Sequence, residues 1–240
     1  ADNVCDVTVQ VSDGNGGTDT QAIAVTVTNV NEAPLITSNG GGATASVSAA
    51  ENQSVATTVT ASDVDGGAAV YSIVGGADAA LFMINASTGA LTFLAAPNFE
   101  APADNGGNNV YDVTVQVDDG NGGTDTQAIA VSVTNVNEAP IITSNGGGVT
   151  AAVSAAENQI AVTTVTSTDV DGGSAVYSIA GGADAALFTI NASTGALTFS
   201  AAPNFEAPAD AGAATVSAAT VQVSDGNGGT DTQAIAVTVT

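Results

Sequence analysis

The chain repeats itself at a fixed distance. VTVQV begins at Val7 and again at Val113, AENQ at Ala50 and Ala156, DVDGG at Asp63 and Asp169, and NVNEAP at Asn29 and Asn135, each pair 106 residues apart. A period near one hundred gives a whole globular domain per copy, whereas solenoid units of about 20 to 50 residues need their neighbours to bury a face. The expected organisation is a partial copy at 1–34, a full repeat with its connector at 35–140 and a second full repeat at 141–240. Residues 1–34 match 107–140, the last strands and connector of a repeat. Alone, such a piece lacks the rest of its core and is expected to fray unless the preceding part of an array, or a neighbouring chain, completes its sheet.

Within a repeat the apolar pattern has period two. VATTVTAS, AVYSI, ALFMI, ALTF, NVYDVTVQV and TQAIAVSVTNV are short runs rich in Val, Ile, Thr and Phe, separated by Gly, Asn and Asp clusters. Seven strands spaced in this way predict an all-β fold of tandem antiparallel Greek-key β-sandwiches, of cadherin or immunoglobulin type, set end to end. In the last two strands Val115, Val117, Ile129, Val131 and Val133 are expected to point inward, with Thr and Gln facing water. Tyr71, Phe82, Phe93, Phe99 and Tyr111 are expected in the first core and Tyr177, Phe188, Phe199 and Phe205 in the second. Ser217 takes the place of the second tyrosine, so the last repeat is expected to be the less stable full copy. The Asp-Gly and Gly-Gly steps of DGNGGTDT suit a hairpin turn, and INASTG a tight turn rather than a glycosylation acceptor.

Charge narrows the function. The 240 residues hold 24 Asp and Glu and no Lys, Arg or His, a formal charge of -24. Imidazole bases, Schiff-base lysines and arginine fingers are therefore excluded, and the field repels nucleic acid and anionic lipid. A paired-carboxylate glycosidase, using Glu51 and Glu100, is the one common catalytic mechanism left, and no aromatic cleft for a sugar accompanies it. No catalytic residue is expected. The single Cys5 cannot form an internal disulfide, and no apolar run is long enough to span a bilayer.

The acids recur at fixed repeat positions: Glu51 and Glu157 in AEN, Asp63, Asp65, Asp169 and Asp171 in DVD, Glu100 and Glu206 in NFE, Asp13, Asp119 and Asp225 at strand ends, and Glu32 and Glu138 in the connectors. These segments fall at the poles of a sandwich. Like charges about 4 Å apart repel by roughly 4 kcal/mol at an effective dielectric of 20, and no cationic side chain offsets them. Oxygen-only ligands in flexible loops select a hard divalent ion, and Ca²⁺ in preference to Mg²⁺.

In their order, AEN, DVDGG, FxINxxTG (Phe82 to Gly89), NFE, VQVxDG and NVNEAP resemble the cadherin repeat, especially its bacterial versions in giant surface adhesins and calcium-dependent extracellular repeat proteins. The resemblance implies Ca²⁺ clamped at each junction between successive domains. The junction of the two full repeats would draw on Glu51, Glu100, Asn135, Asn137 and Glu138 from the first and on Asp169, Asp171 and Asp225 from the second. The preceding junction would use Asn29, Asn31, Glu32, Asp63, Asp65 and Asp119, while Glu157 and Glu206 would serve a following domain. NVNEAP departs from the family's usual DxNDNxP and carries fewer charges, so weak extracellular-type sites, with dissociation constants of about 10⁻⁴ to 10⁻³ M, are expected.

The function implied is that of calcium-stiffened extender repeats in a long extracellular bacterial adhesin or surface protein. The expected partners are neighbouring repeats of the same or an adjacent chain, with no nucleic acid and no membrane insertion. A repeating protomer of an extracellular filament or matrix fibre is the alternative.

Overall fold

The computed structural model describes residues 3–210, 212 and 215–240. The chain divides into two units, Ala1–Thr134 and Asn135–Thr240. Among the described residues there is no α-helix, and three single 3₁₀ turns are the only helical elements.

The first unit opens with a hairpin, β1 (Val4–Ser12) and β2 (Thr18–Thr26), paired over nine residues. Its sandwich follows: β3 (Leu35–Ile36), β4 (Thr44–Ala50), β5 (Val55–Thr58), β6 (Ala61–Ser62), β7 (Val70–Gly75), β8 (Phe82–Ile84), β9 (Ala90–Phe93), β10 (Val110–Asp118) and β11 (Thr124–Thr134). Two sheets of order β4-β11-β10-β7 and β5-β9-β8 face each other, and the short β3-β6 pair closes one corner. The second unit repeats the plan. Its elements are β12 (Ile141–Ile142), β13 (Thr150–Ala155), β14 (Ala161–Thr164), β15 (Ser167–Thr168), β16 (Val176–Gly181), β17 (Phe188–Ile190), β18 (Ala196–Phe199), β19 (Val216–Ser224) and β20 (Thr230–Val239). Its sheets run β13-β20-β19-β16 and β14-β18-β17, with β12 on β15. Each sandwich thus has seven strands plus one short pair.

One pairing differs from the antiparallel expectation. β4 lies parallel to β11, from Thr44 beside Ala128 to Ala50 beside Thr134, and β13 lies parallel to β20 in the same way. The intervening strands serve as the crossover that a parallel pair requires. The consequence matters for function: within a unit the first and last strands of the sheet end at the same pole, so the chain enters the sandwich at one pole and leaves at the other.

The core follows the period-two pattern. Val113, Val115 and Val117 on β10 and Ile129, Val131 and Val133 on β11 are buried, together with Phe82, Leu91 and Phe93 from the opposite sheet. Each fully buried side chain of this size contributes roughly 1.5–3 kcal/mol. The hairpin shows the converse. Val7, Val9, Val11 and Ile23, which stand 106 residues before four of these positions, are 39–67% exposed.

Two side-chain expectations are corrected. Gln127 and Gln233 do not face water; both are fully buried. They share the inward parity of Ile129 and Ile235, and their amides are satisfied locally. Gln127 Nε2 donates to the carbonyls of Gly42 at 2.8 Å and Ser38 at 3.3 Å, and Oε1 accepts from Asn39 Nδ2 at 3.4 Å. Partners in place offset the cost of taking a buried amide out of water. Phe205 is not a core residue: it is 45% exposed, whereas its counterpart Phe99 is half-buried against the first core. Both turns form as expected. Asn85 Oδ1 accepts the N–H groups of Ser87 and Thr88, each at 3.0 Å, and Asn191 does the same for Ser193 and Thr194.

Candidate metal centre

At the entry pole of the first sandwich three acidic segments meet. In DVDGG, Asp63 Oδ1 accepts the N–H of Asp65 at 2.8 Å, the side-chain turn that Asp favours before a Gly pair. In the DGNGG turn, Asp119 Oδ1 accepts the N–H groups of Asn121 at 2.7 Å and Gly123 at 3.0 Å. The connector then lies across both. Asn29 Nδ2 donates to Asp65 Oδ1 at 2.6 Å, the Glu32 N–H to Asp65 Oδ2 at 2.7 Å, and Asn31 Nδ2 to Asp119 Oδ2 at 2.8 Å. Asp63 and Asp119 line one small cavity of about 50 Å³ beside Pro34. Gly123 permits the approach, since a Cβ there would lie 2.8 Å from Ala33 Cα and would strike the Asp119 carboxylate.

The second unit builds the same cup. Asp171 N donates to Asp169 Oδ1 at 3.0 Å, Glu138 N to Asp171 Oδ2 at 2.6 Å, and Asn137 Nδ2 to Asp225 Oδ2 at 2.7 Å. Asp225 Oδ1 accepts Asn227 N at 2.7 Å and Gly229 N at 3.0 Å. Asn135 is exposed at the head of this connector. Asp171 Oδ1 is buried and has no hydrogen-bond partner. A carboxylate oxygen removed from water without a donor costs several kcal/mol unless a cation or proton reaches it.

The exit pole carries glutamates. Glu51 is 1% exposed; its N–H bonds Thr134 O at 3.1 Å and its Oε2 accepts Phe99 N at 2.8 Å. One carboxylate oxygen of Glu100 lies within 4.8 Å of one of Glu51. In the second unit, Glu157 N bonds Thr240 O at 2.9 Å, its Oε2 accepts Phe205 N at 3.1 Å, and Glu206 is exposed nearby. Asp119 precedes β11 and Glu51 adjoins its end, so the two acidic sets of a unit stand the length of an eleven-residue strand apart, roughly 35 Å. As a glycosidase pair, Glu51 and Glu100 are poorly placed, because Glu51 is buried and committed to a backbone N–H.

Hydrogen bonds and neighbouring charge shift several of the cup acids. Asp65 is held below the ordinary carboxylate range first by the Glu32 N–H and then by the Asn29 amide. The Asn31 amide does the same for Asp119, and the Asn137 amide for Asp225. Glu32 moves the other way, raised by a side-chain hydrogen bond to Asp65 and by that neighbour's charge. No cationic side chain in the chain offsets this repulsion. Ligand atoms that are all oxygen and the bare Asp171 oxygen fit a hard divalent cation such as Ca²⁺.

Sequence reasoning missed Asp125 and Asp231. Each accepts the N–H of the first core isoleucine, Ile36 or Ile142, at 2.8 Å, and so fixes where the connector turns into the sandwich. The signal was the TDT triplet that recurs with every copy.

The profile of the bacterial Ig domain family matches residues 31–132 and 137–238, the greater part of the chain. The chain belongs to the bacterial Ig domain family. Its two copies are similar in fold to solved cadherin repeats. Human CDH23 EC21-23 shares 19% identity at a TM-score of 0.60 over 98% of this chain and 74% of that one. Human Protocadherin-24 EC1-2 shares 20% at 0.56, over 88% and 99%. Protocadherin Gamma B2 extracellular cadherin domains 3-6 share 22% at 0.55; the match covers 99% of this chain and 59% of that structure's length. The comparison with curated proteins returned no match. The expected cadherin-like tandem sandwich is thus the fold of these bacterial Ig repeats. Among the described residues no helix is long and apolar enough to cross a membrane.

Proposed function

We propose that these bacterial Ig repeats are Ca²⁺-stiffened extender modules of a long extracellular bacterial surface protein or adhesin. The observation that carries the reading is the cup at each entry pole, where connector and loop acids gather in a chain that has no cationic side chain, and where Asp171 Oδ1 is buried without a donor. In the second unit Asn137, Glu138, Asp169, Asp171 and Asp225 would hold the ion, with Asn135 beside them. In the first unit Asn29, Asn31, Glu32, Asp63, Asp65 and Asp119 would do so. Glu51 and Glu100 are assigned to the same junction in this reading from the recurrence of these acids in the repeat pattern. Glu157 and Glu206 offer the equivalent half-site to a following module.

The mechanism is linkage. Ions held only by aligned modules favour alignment by RT ln(1 + [L]/Kd), about 2.7 kcal/mol at a hundredfold excess over Kd. Entry and exit at opposite poles of each sandwich make alignment lengthen the string. Small-angle scattering with and without a chelator tests this: the maximum dimension should fall and its spread widen when Ca²⁺ is removed, and an unchanged profile overturns the proposal.

A further inference from the structure

Six Asn-Gly steps occur in the chain, at Asn15, Asn39, Asn105, Asn121, Asn145 and Asn227. Such a step is open to intramolecular deamidation, because glycine has no Cβ to keep the asparagine side chain from its backbone nitrogen. By sequence the six are equivalent. The fold separates them.

Three are held. Asn39 Oδ1 accepts the Thr57 hydroxyl at 3.0 Å and its Nδ2 donates to Gln127 Oε1 at 3.4 Å, and Thr163 and Gln233 hold Asn145 at the same distances. At Asn105 the attacking nitrogen is engaged instead: the Gly106 N–H donates to Asp104 Oδ2 at 2.9 Å, while the Asn105 N–H donates to Asp78 Oδ1 at 2.7 Å.

The DGNGG turns leave the step open. Asp119 Oδ1 accepts the N–H groups of Asn121 and Gly123 and passes over that of Gly122. Asp13 Oδ1 accepts Asn15 N at 2.8 Å and Gly17 N at 2.9 Å and passes over Gly16. Both asparagines and both following glycines are exposed, and a Cβ on Gly16 or Gly122 would meet nothing within 4 Å. The Asn15 amide makes one contact, Nδ2 to the Asp13 carbonyl at 3.5 Å, and the Asn121 amide makes none among the described residues. In the third copy of the turn the Gly228 N–H also bears on the Asp225 carboxylate, which places Asn227 between the two classes.

We propose that Asn15 and Asn121 are sites of spontaneous deamidation. The Gly122 nitrogen gives up its proton and bonds to Asn121 Cγ, closing a succinimide, and the side-chain nitrogen leaves as ammonia. Water then opens the ring. Breaking the new C–N bond leaves an aspartate, and breaking the original backbone C–N bond leaves an isoaspartate. Gly16 and Asn15 react in the same way. Each event adds one negative charge to a chain that already carries -24. An isoaspartate at 121 also inserts one backbone carbon between the two N–H groups that Asp119 Oδ1 accepts, so the turn that seats Asp119 loosens with age. The modification needs no metal and does not depend on the calcium reading.

The full chain, aged in neutral metal-free buffer with and without urea, tests the assignment. Peptide mapping by fragmentation mass spectrometry, with a glutamyl endopeptidase because the chain has no Lys or Arg for trypsin, reads the exchange of amide for acid at each asparagine. In the native chain Asn15 and Asn121 should convert about tenfold faster than Asn39, Asn105 and Asn145, the factor set by opening one or two hydrogen bonds, with Asn227 between. In urea the six rates should converge. Native conversion at Asn39, Asn105 or Asn145 as fast as at Asn15 and Asn121, or the same ranking in urea, overturns the proposal.

Discussion

Replacing Glu100 by Gln removes one charge and almost no volume, and its effect should change sign with calcium. The Glu100 and Glu51 carboxylate oxygens lie no more than 4.8 Å apart. Coulomb's law at that distance gives about 0.9 kcal/mol of repulsion in bulk water and about 3.5 kcal/mol at an effective dielectric of 20. Glu100 is exposed, so the lower figure governs and about 1 kcal/mol is the working value. In a chelator, Glu100→Gln should therefore stabilise the first sandwich by about that amount, raising its melting temperature by about 4–8 °C for a domain of this size. In millimolar Ca²⁺ the same change removes a ligand, so the variant should melt below the parent. Differential scanning calorimetry of both proteins in both buffers reads the crossing. Equal destabilisation with and without Ca²⁺ would show Glu100 to be a structural partner only, and the reasoning would be wrong.

Gly229→Ala places a methyl against the Asp225 carboxylate and 2.8 Å from Ala139 Cα, so the second cup must shift; calcium affinity there should fall by about tenfold, with a stability loss of about 1–3 kcal/mol. Tyr111→Ser should cost the first sandwich about 3–5 kcal/mol in urea denaturation, because it deletes a buried ring and leaves the two units with the same weakened core. The metal-free chain should lose stability in acid in a defined order. Asp65, Asp119 and Asp225 have folded pKa values lowered from 3.8, so their contribution is complete above 3.8 and disappears as the pH falls through the lowered values. Glu32, raised from 4.5, acts oppositely: it favours the folded state slightly more as the pH falls from its raised value to 4.5. Urea midpoints measured across the acid range in chelator should therefore hold or rise slightly before they drop, and a steady decline beginning at neutral pH would contradict the assignment.

Much of this was legible in the chain because both signals are periodic. Alternation placed Val115, Val117, Ile129, Val131 and Val133 inward, and the 106-residue offset marked the acids as a recurring set. The buried glutamines were misread because polarity was weighed above parity: Gln127 shares the face of Ile129 and Val131, and its satisfaction depends on the carbonyls of Ser38 and Gly42, some 85 residues away in sequence. The parallel β4–β11 pair was invisible for a related reason, since strand direction depends on the path of the chain between the strands and leaves no mark on the alternation within either. Phe205 was assigned to the core by repeat position alone; Phe99, its counterpart, packs against a core that holds Tyr111, whereas Phe205 is exposed on a groove that has Ser217 in place of that tyrosine. The cup residues were read from composition and motif, but their hydrogen bonds to the connector, which bind Asp171 to Glu138 and Asp225 to Asn137, emerge only from the fold.

Isothermal titration of the metal-free chain with Ca²⁺, repeated on Asp171→Asn, is the most direct measurement. The parent should bind Ca²⁺ saturably in the range of about 10⁻⁴ to 10⁻³ M, with the second-unit sites lost in the variant. A flat titration through millimolar Ca²⁺, or one that Asp171→Asn leaves unchanged, would contradict the claim that these acids are gathered to hold the ion.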